Sequence, residues 1–322
     1  MDKLIECIDA LKSPIVVGLD PTLEMIPESL QEEMFEKFGK TPAAVAEMFL
    51  AFNREIIDSV SDIVPAVKPQ IAMYEKYGLD GVAAYIKTAE YASSKGLFVI
   101  GDIKRGDISS TAEAYAAHLS GTTIGGEYFD LWHEDAITVN PYLGSDGIAP
   151  FVTAATEADK SIFVLVKTSN PSSSELQDLT VNQDENGNYA DSKTEPSPCI
   201  HHGATLYRAV ATLVDKWGAD QIGRYGYSRV GAVVGATHRD VGAELRKALP
   251  HTFFLVPGYG AQGATAEDLL GFFDKDGRGC IVNSSRGIIA AWRKKDGLSV
   301  GEAARAAAIM MRDELAHVIG RT

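Results

Sequence analysis

The stretch Asp102–Ile108, which reads DIKRGDI, sets a lysine between two acids: Asp102 stands two positions before Lys104 and Asp107 three after it. In an extended strand, side chains two apart point the same way, so Asp102 and Lys104 are expected on one face. Carboxylates within hydrogen-bond reach favour the ammonium form of a lysine. Such a lysine is a good general acid for delivering a proton to a carbanion and a poor Schiff-base nucleophile. Alone, a D-x-K-x-x-D also describes a solvated strand end with an incidental ion pair. Two more charges at apolar strand ends favour a site: Asp20 closes VVGLD and Lys68 closes VPAVK.

A second group of residues suits an anion. FLVPGYGAQGA carries Gly258, Gly260 and Gly263, and Arg286 follows in IVNSSRG. Glycines open the backbone to a phosphate, whose oxygens accept from N–H groups, and an arginine clamps it bidentately. The same loop reads as G-x-G-x-x-G after a strand, so an NADP-binding oxidoreductase is a rival. Position counts against it. One strand follows the motif where a dinucleotide fold needs several, and Asp274 and Asp276 precede that strand instead of closing it.

These residues need a scaffold that gathers strand ends. Apolar runs at Ile15–Leu19, Ile63–Val67, Phe98–Asp102, Ala136–Val139, Ile162–Lys167, Val230–Gly235, Phe253–Val256 and Cys280–Val282 read as strands. Several are apolar throughout, as parallel strands covered on both faces are. Helix-like stretches alternate with them, among them Pro42–Ser59, Gly81–Lys95, Ser109–Leu119, Ala204–Trp217 and Val241–Ala248. Eight such units predict an α/β fold, a (β/α)₈ TIM barrel occupying residues 1–322 as one domain. Periodicity alone leaves an open doubly wound sheet as the alternative. Ile26–Lys40 predicts an extra helix after the first strand. Residues 170–200, polar and turn-rich, predict a loop or hairpin inserted after strand five, with Asn186-Gly187 at its tip.

Bulk properties exclude partners. The chain of 322 residues carries a formal charge of -14, from 44 acidic and 30 basic residues. Such a surface repels nucleic acid and anionic membranes but still admits a small anion to a cleft with concentrated cations. No apolar run reaches membrane-spanning length. Cys7, Cys199 and Cys280 are scattered, and the acidic N-terminus lacks the blocks of a secretion signal, so a cytoplasmic protein with reduced thiols is expected. The histidines form no metal-binding cluster; His201-His202 reads as a polar loop, and no metal or organic cofactor is expected.

Asp102–Ile108 resembles the D-x-K-x-x-D-I signature of orotidine 5′-phosphate decarboxylases, most strongly that of the longer bacterial subfamily. VVGLDP (Val16–Pro21), FNREIID (Phe52–Asp58), VKPQIAMYE (Val67–Glu75), KTSNP (Lys167–Pro171), VPGYGAQG (Val256–Gly263) and NSSRGI (Asn283–Ile288) extend the resemblance over nearly the whole chain. It implies decarboxylation of orotidine 5′-phosphate to uridine 5′-phosphate in pyrimidine biosynthesis, without a cofactor. Lys68, Asp102, Lys104 and Asp107 would form a charged chain, with Lys104 protonating C6 and Asp102 beside the substrate carboxylate. Asp107, with Ile108 and Thr111, would reach a neighbouring subunit's site, making a homodimer with shared active sites. Asp20 would bind a ribose hydroxyl and Ser169 the pyrimidine edge. Gly258, Gly260, Gln262 and Arg286 would hold the phosphate, Gln262 also touching the base. Asn140 stands where many relatives carry histidine and receives no catalytic role. A magnesium-dependent sugar-phosphate decarboxylase or aldolase of the same barrel group is the nearer rival; by resemblance, those enzymes carry an acidic metal ligand where this chain has Lys68.

Overall fold

The computed structural model describes residues 1–183, 201–260, 263–295 and 297–320. Among them, eight parallel strands close into a barrel: β1 (Ile15–Leu19), β2 (Ala66–Pro69), β3 (Phe98–Arg105), β4 (Ala136–Val139), β5 (Ser161–Lys167), β6 (Val230–Val234), β7 (Phe254–Pro257) and β8 (Cys280–Ser284). Each pairs with its neighbours in chain order, and β1 pairs with β8 through Ile15 opposite Val282. That pairing decides between the expected barrel and an open sheet.

Alternation along the strands explains why they are apolar throughout. Val16, Ala66, Ile100, Phe163, Leu255 and Ile281 pack inside the barrel, whereas Val17, Val67, Val99, Val164, Val256 and Val282 face the surrounding helices. The inner cluster also takes Leu4, Ile5 and Ile8 from helix α1 (Asp2–Leu11), an amphipathic segment that plugs the end where the strands begin. The other end stays open for chemistry.

Helices α2 (Glu28–Phe38), α3 (Pro42–Val60), α4 (Gly78–Ser94), α5 (Ser109–Ser120), α6 (Ser145–Glu157), α7 (Leu206–Gly218), α8 (Arg239–Ala248) and α9 (Val300–Val318) accompany the strands. Local signals set several starts. Thr41 accepts from the amide of Ala44 ahead of Pro42 in α3, and Ser299 with Glu302 forms a capping box on α9.

Boundaries differ from expectation where backbone hydrogen bonds are claimed elsewhere. Ile63 and Val64, expected in a strand, bond to the carbonyl of Val60 at 2.9 and 3.0 Å and finish the turn of α3. The helix expected from Ala204 begins at Leu206, because His201–Thr205 pairs antiparallel with Thr180–Gln183. The Asn186-Gly187 tip lies outside the described residues. Trp132 stacks on His118 at 3.8 Å between ring centroids, and the buried Glu134 behind β3 joins His118 and Tyr85.

Candidate active site

Asp102 is the hub of the strand ends. Lys68 Nζ lies 2.6 Å from its Oδ2, and Lys104 Nζ donates to its Oδ1. The Thr138 hydroxyl donates to the same Oδ1 at 2.9 Å and accepts from the backbone amide of Lys104 at 3.0 Å. Burial alone would raise the Asp102 carboxyl, but the ammonium groups of Lys68 and Lys104 outweigh it and hold the acid well below the usual carboxylate range. Burial likewise opposes the charge of Lys68, yet Asp102 and Asp20 keep its amine above its ordinary value. The two lysines are not equivalent. Lys68 is 4% exposed, whereas the Lys104 side chain is 44% exposed and free to meet a ligand.

Lys104 reaches Asp102 by a route other than plain strand alternation. Between Gly101 and Arg105, β3 takes four steps where β4 takes two, from Ile137 to Val139. Lys104 adopts φ 46, in the left-handed region that non-glycine residues seldom occupy. The Thr138 hydroxyl supplies the acceptor that the Lys104 amide loses with the ladder. The sequence reading missed Thr138; its signal was a hydroxyl within the otherwise apolar run AITV.

Two lobes of one cleft meet over Lys68, Asp102 and Pro257, each with a volume of about 430 Å³. Asp20, Gly258, Asn283 and Arg286 line the first. Gly258 has φ 106 and Gly260 φ 69, conformations that favour glycine. Arg286 opens a short helix, Arg286–Ile289, and has no ion-pair partner among the described residues. Asp20 Oδ1 and Asn283 Oδ1 are buried acceptors without a hydrogen-bond partner among those residues. This lobe therefore offers a free cation and open glycine backbone to an anion, and acceptors to hydroxyl groups.

The second lobe holds Lys104 and Ser169, with Thr138, Thr168, Asn170 and Gln177 around them and Leu165, Val233 and Leu255 as an apolar floor. Asp107 does not join the array within the chain: its carboxylate accepts from the amide of Ile108 at 2.8 Å. Ile108 and Thr111 are exposed, Thr111 in the first turn of α5. Gln262 lies outside the described residues. Asn140 accepts from the amide of Tyr142 at 3.0 Å, a loop role.

A closed parallel barrel with ionic and anion-receptive groups at the carboxyl ends of its strands has the architecture of the (β/α)₈-barrel enzymes. The model of the orotidine 5′-phosphate decarboxylase / HUMPS family matches residues 13–298, and the chain belongs to that family. Among curated relatives, the orotidine 5′-phosphate decarboxylase of Caldicellulosiruptor saccharolyticus is 41% identical over 91% of this chain and 90% of its own length. That of Rhodopirellula baltica is 42% identical over 93% of each. The solved OMP decarboxylase of Leishmania donovani superposes with a TM-score of 0.70 at 30% identity, covering 99% of this chain and 98% of its own.

Proposed function

We propose that Lys104 delivers the proton in the decarboxylation of orotidine 5′-phosphate to uridine 5′-phosphate, the reaction of pyrimidine biosynthesis that this enzyme catalyses. The observation that carries this reading is the ionic array. Lys104, held by Asp102 and Thr138, stands in the lobe beside the one that suits a phosphate. With the phosphate against Arg286 and the amides near Gly258 and Gly260, the ribose spans the middle of the cleft, near Asp20 and Lys68. The ring then lies over Leu165, Val233 and Leu255, with its edge toward Ser169.

In the reaction, the bond between C6 and the carboxylate carbon breaks, carbon dioxide departs and the electron pair stays on C6. The Lys104 ammonium stabilises that developing charge and transfers its proton to C6. Asp102 meets the substrate carboxylate as a like charge while keeping Lys104 aimed. Enzymes lower barriers by about 8–23 kcal/mol, and a carbanion that the ring delocalises poorly calls for the upper part of that range. Preorganised charge supplies it at no reorganisation cost during reaction. Contacts to the remote phosphate organise the site, so that binding energy far from C6 lowers the barrier.

We further propose a homodimer in which Asp107, Ile108 and Thr111 complete the partner's site. Its support is that Asp107 forms no ion pair with Lys104 in its own chain, and that Ile108, Tyr142 and Leu143 expose apolar surface at 48%, 78% and 47%. A cytoplasmic location is proposed from cysteine usage alone. Lys104→Ala tests the central claim. Turnover should fall by about 10⁴-fold, the upper end for a positioned acid, with uridine 5′-phosphate binding still measurable by calorimetry. Turnover within tenfold of the unmodified enzyme would remove Lys104 from the role. An assay run with excess chelator separates this reading from the magnesium-dependent one.

A further inference from the structure

The second lobe contains a chain of hydrogen bonds whose direction is fixed by one unambiguous donor. The backbone N–H of Thr168, just past β5, donates to Gln177 Oε1 at 3.0 Å. A backbone N–H can only donate, so the Gln177 amide has a single orientation, with its nitrogen turned to the Thr168 side chain. That nitrogen donates to Thr168 Oγ1 at 2.8 Å. The Thr168 hydroxyl in turn gives its one proton to Asn170 Oδ1 at 2.6 Å. Turning Asn170 over would leave the Thr168 hydroxyl proton without an acceptor among the described residues. The carbonyl of Asn170 is thereby used, and its Nδ2, with two N–H donors, has no partner among the described residues.

The frame around this chain is held on several sides. Lys167, 1% exposed, pairs with Asp178 at 2.7 Å, fastening the segment that carries Gln177. His238 Nε2 lies 2.9 Å from the Thr168 carbonyl; a carbonyl only accepts, so this ring nitrogen carries the hydrogen. Asn170, Gln177 and Thr168 line the same lobe as Lys104 and Ser169.

We infer that Gln177 and Thr168 are positioning residues that fix Asn170 as a hydrogen-bond donor to the ring of the bound nucleotide, so that this lobe selects a pyrimidine bearing carbonyl oxygens over one bearing an exocyclic amine. The inference rests on the cleft being the orotidylate site. Gln177→Glu tests it with little change in shape. A carboxylate still accepts from the Thr168 amide, but its second oxygen takes the hydroxyl proton. Asn170 then turns its N–H toward Thr168 and presents Oδ1 to the ring.

Affinities for uridine 5′-phosphate, cytidine 5′-phosphate and ribose 5-phosphate, measured by calorimetry, read the outcome. In Gln177→Glu the preference for the uridine over the cytidine nucleotide should fall about tenfold, the net worth of one hydrogen bond, with ribose 5-phosphate affinity unchanged. Thr168→Val, which breaks the chain without adding charge, should narrow the same ratio, and Thr168→Ser should keep it. An unchanged ratio in Thr168→Val, or equal weakening of all three ligands in Gln177→Glu, overturns the relay. Unmodified enzyme that binds ribose 5-phosphate but neither nucleotide strikes instead at the orotidylate reading.

Discussion

Asp102 does two jobs that pull its environment in opposite directions. It must stay ionised while nearly buried, and it must leave Lys104 open to the cleft. Lys68 resolves the conflict by giving the carboxylate a permanent buried partner at 2.6 Å, so that Lys104 is a second cation and not the sole one. The sign of the pH effect follows. A carboxyl held below its unfolded value contributes stability that is complete above about pH 4 and is lost as pH falls through the folded value. An amine held above its ordinary value contributes stability present below about pH 10 and lost as pH rises further. Asp102→Asn, which takes from the buried Lys68 its ion-pair partner and leaves it only the more distant charge of Asp20, should cost about 3–5 kcal/mol. Urea unfolding should find that difference persisting down to about pH 4 and narrowing only at more acid pH, where the Asp102 carboxyl of the unmodified enzyme takes up its proton. A difference that closes between pH 5 and 6 would contradict the assignment. Charge at strand ends made Asp20, Lys68, Asp102 and Lys104 legible in the sequence. Thr138 and Asn170 were not: a lone hydroxyl in AITV is a weak signal, and the bonds that give both residues their roles, to Lys104 and to Thr168, join partners whose placement only the fold reveals.

Among the secondary-structure elements, strands were legible because burial on both faces writes an unbroken apolar run, as in the IVVGL of β1. What escaped was register. The irregularity in β3 and the left-handed Lys104 depend on the hydroxyl that β4 offers, and no pattern within β3 announces it. Close approach between segments was equally hidden. Gly235, which follows β6, donates its amide to the Lys167 carbonyl at 2.7 Å, and a Cβ there would lie 2.9 Å from the backbone of Ser169. Gly235→Ala must therefore push the Ser169 loop outward. Overpacking of this kind costs about 1–3 kcal/mol. Uridine 5′-phosphate should bind about tenfold more weakly, with ribose 5-phosphate unaffected, because the loop meets the ring and not the phosphate. Equal loss for both ligands in an inhibition assay would show that Gly235 serves the fold at large.

For the whole molecule, the proposed sharing of sites between subunits has a direct test in mixing. Lys104→Ala and Asp107→Ala subunits should each be nearly inactive alone. Random reassociation gives hybrids in which one site has Lys104 from one chain and Asp107 from the other, so activity should recover to about a quarter of the unmodified level. Recovery that fails although subunit exchange is demonstrated by mass spectrometry would confine Asp107 to its own chain. The -14 charge, so decisive against polyanions, gives no hint of such an arrangement, and neither does hydrophobic periodicity. Closure of the barrel was expected from the count of strand–helix units, but its proof is the pairing of Ile15 with Val282. That seam has a kinetic meaning. Asp20 leaves one strand of the seam and Arg286 follows the other, so the groups meant for sugar and phosphate come together only when Ile15–Leu19 and Cys280–Ser284, far apart along the chain, find each other. Contacts so distant along a chain form slowly. After dilution from denaturant, helical circular dichroism should return first and catalysis last, making turnover a clock for the final stitch of folding.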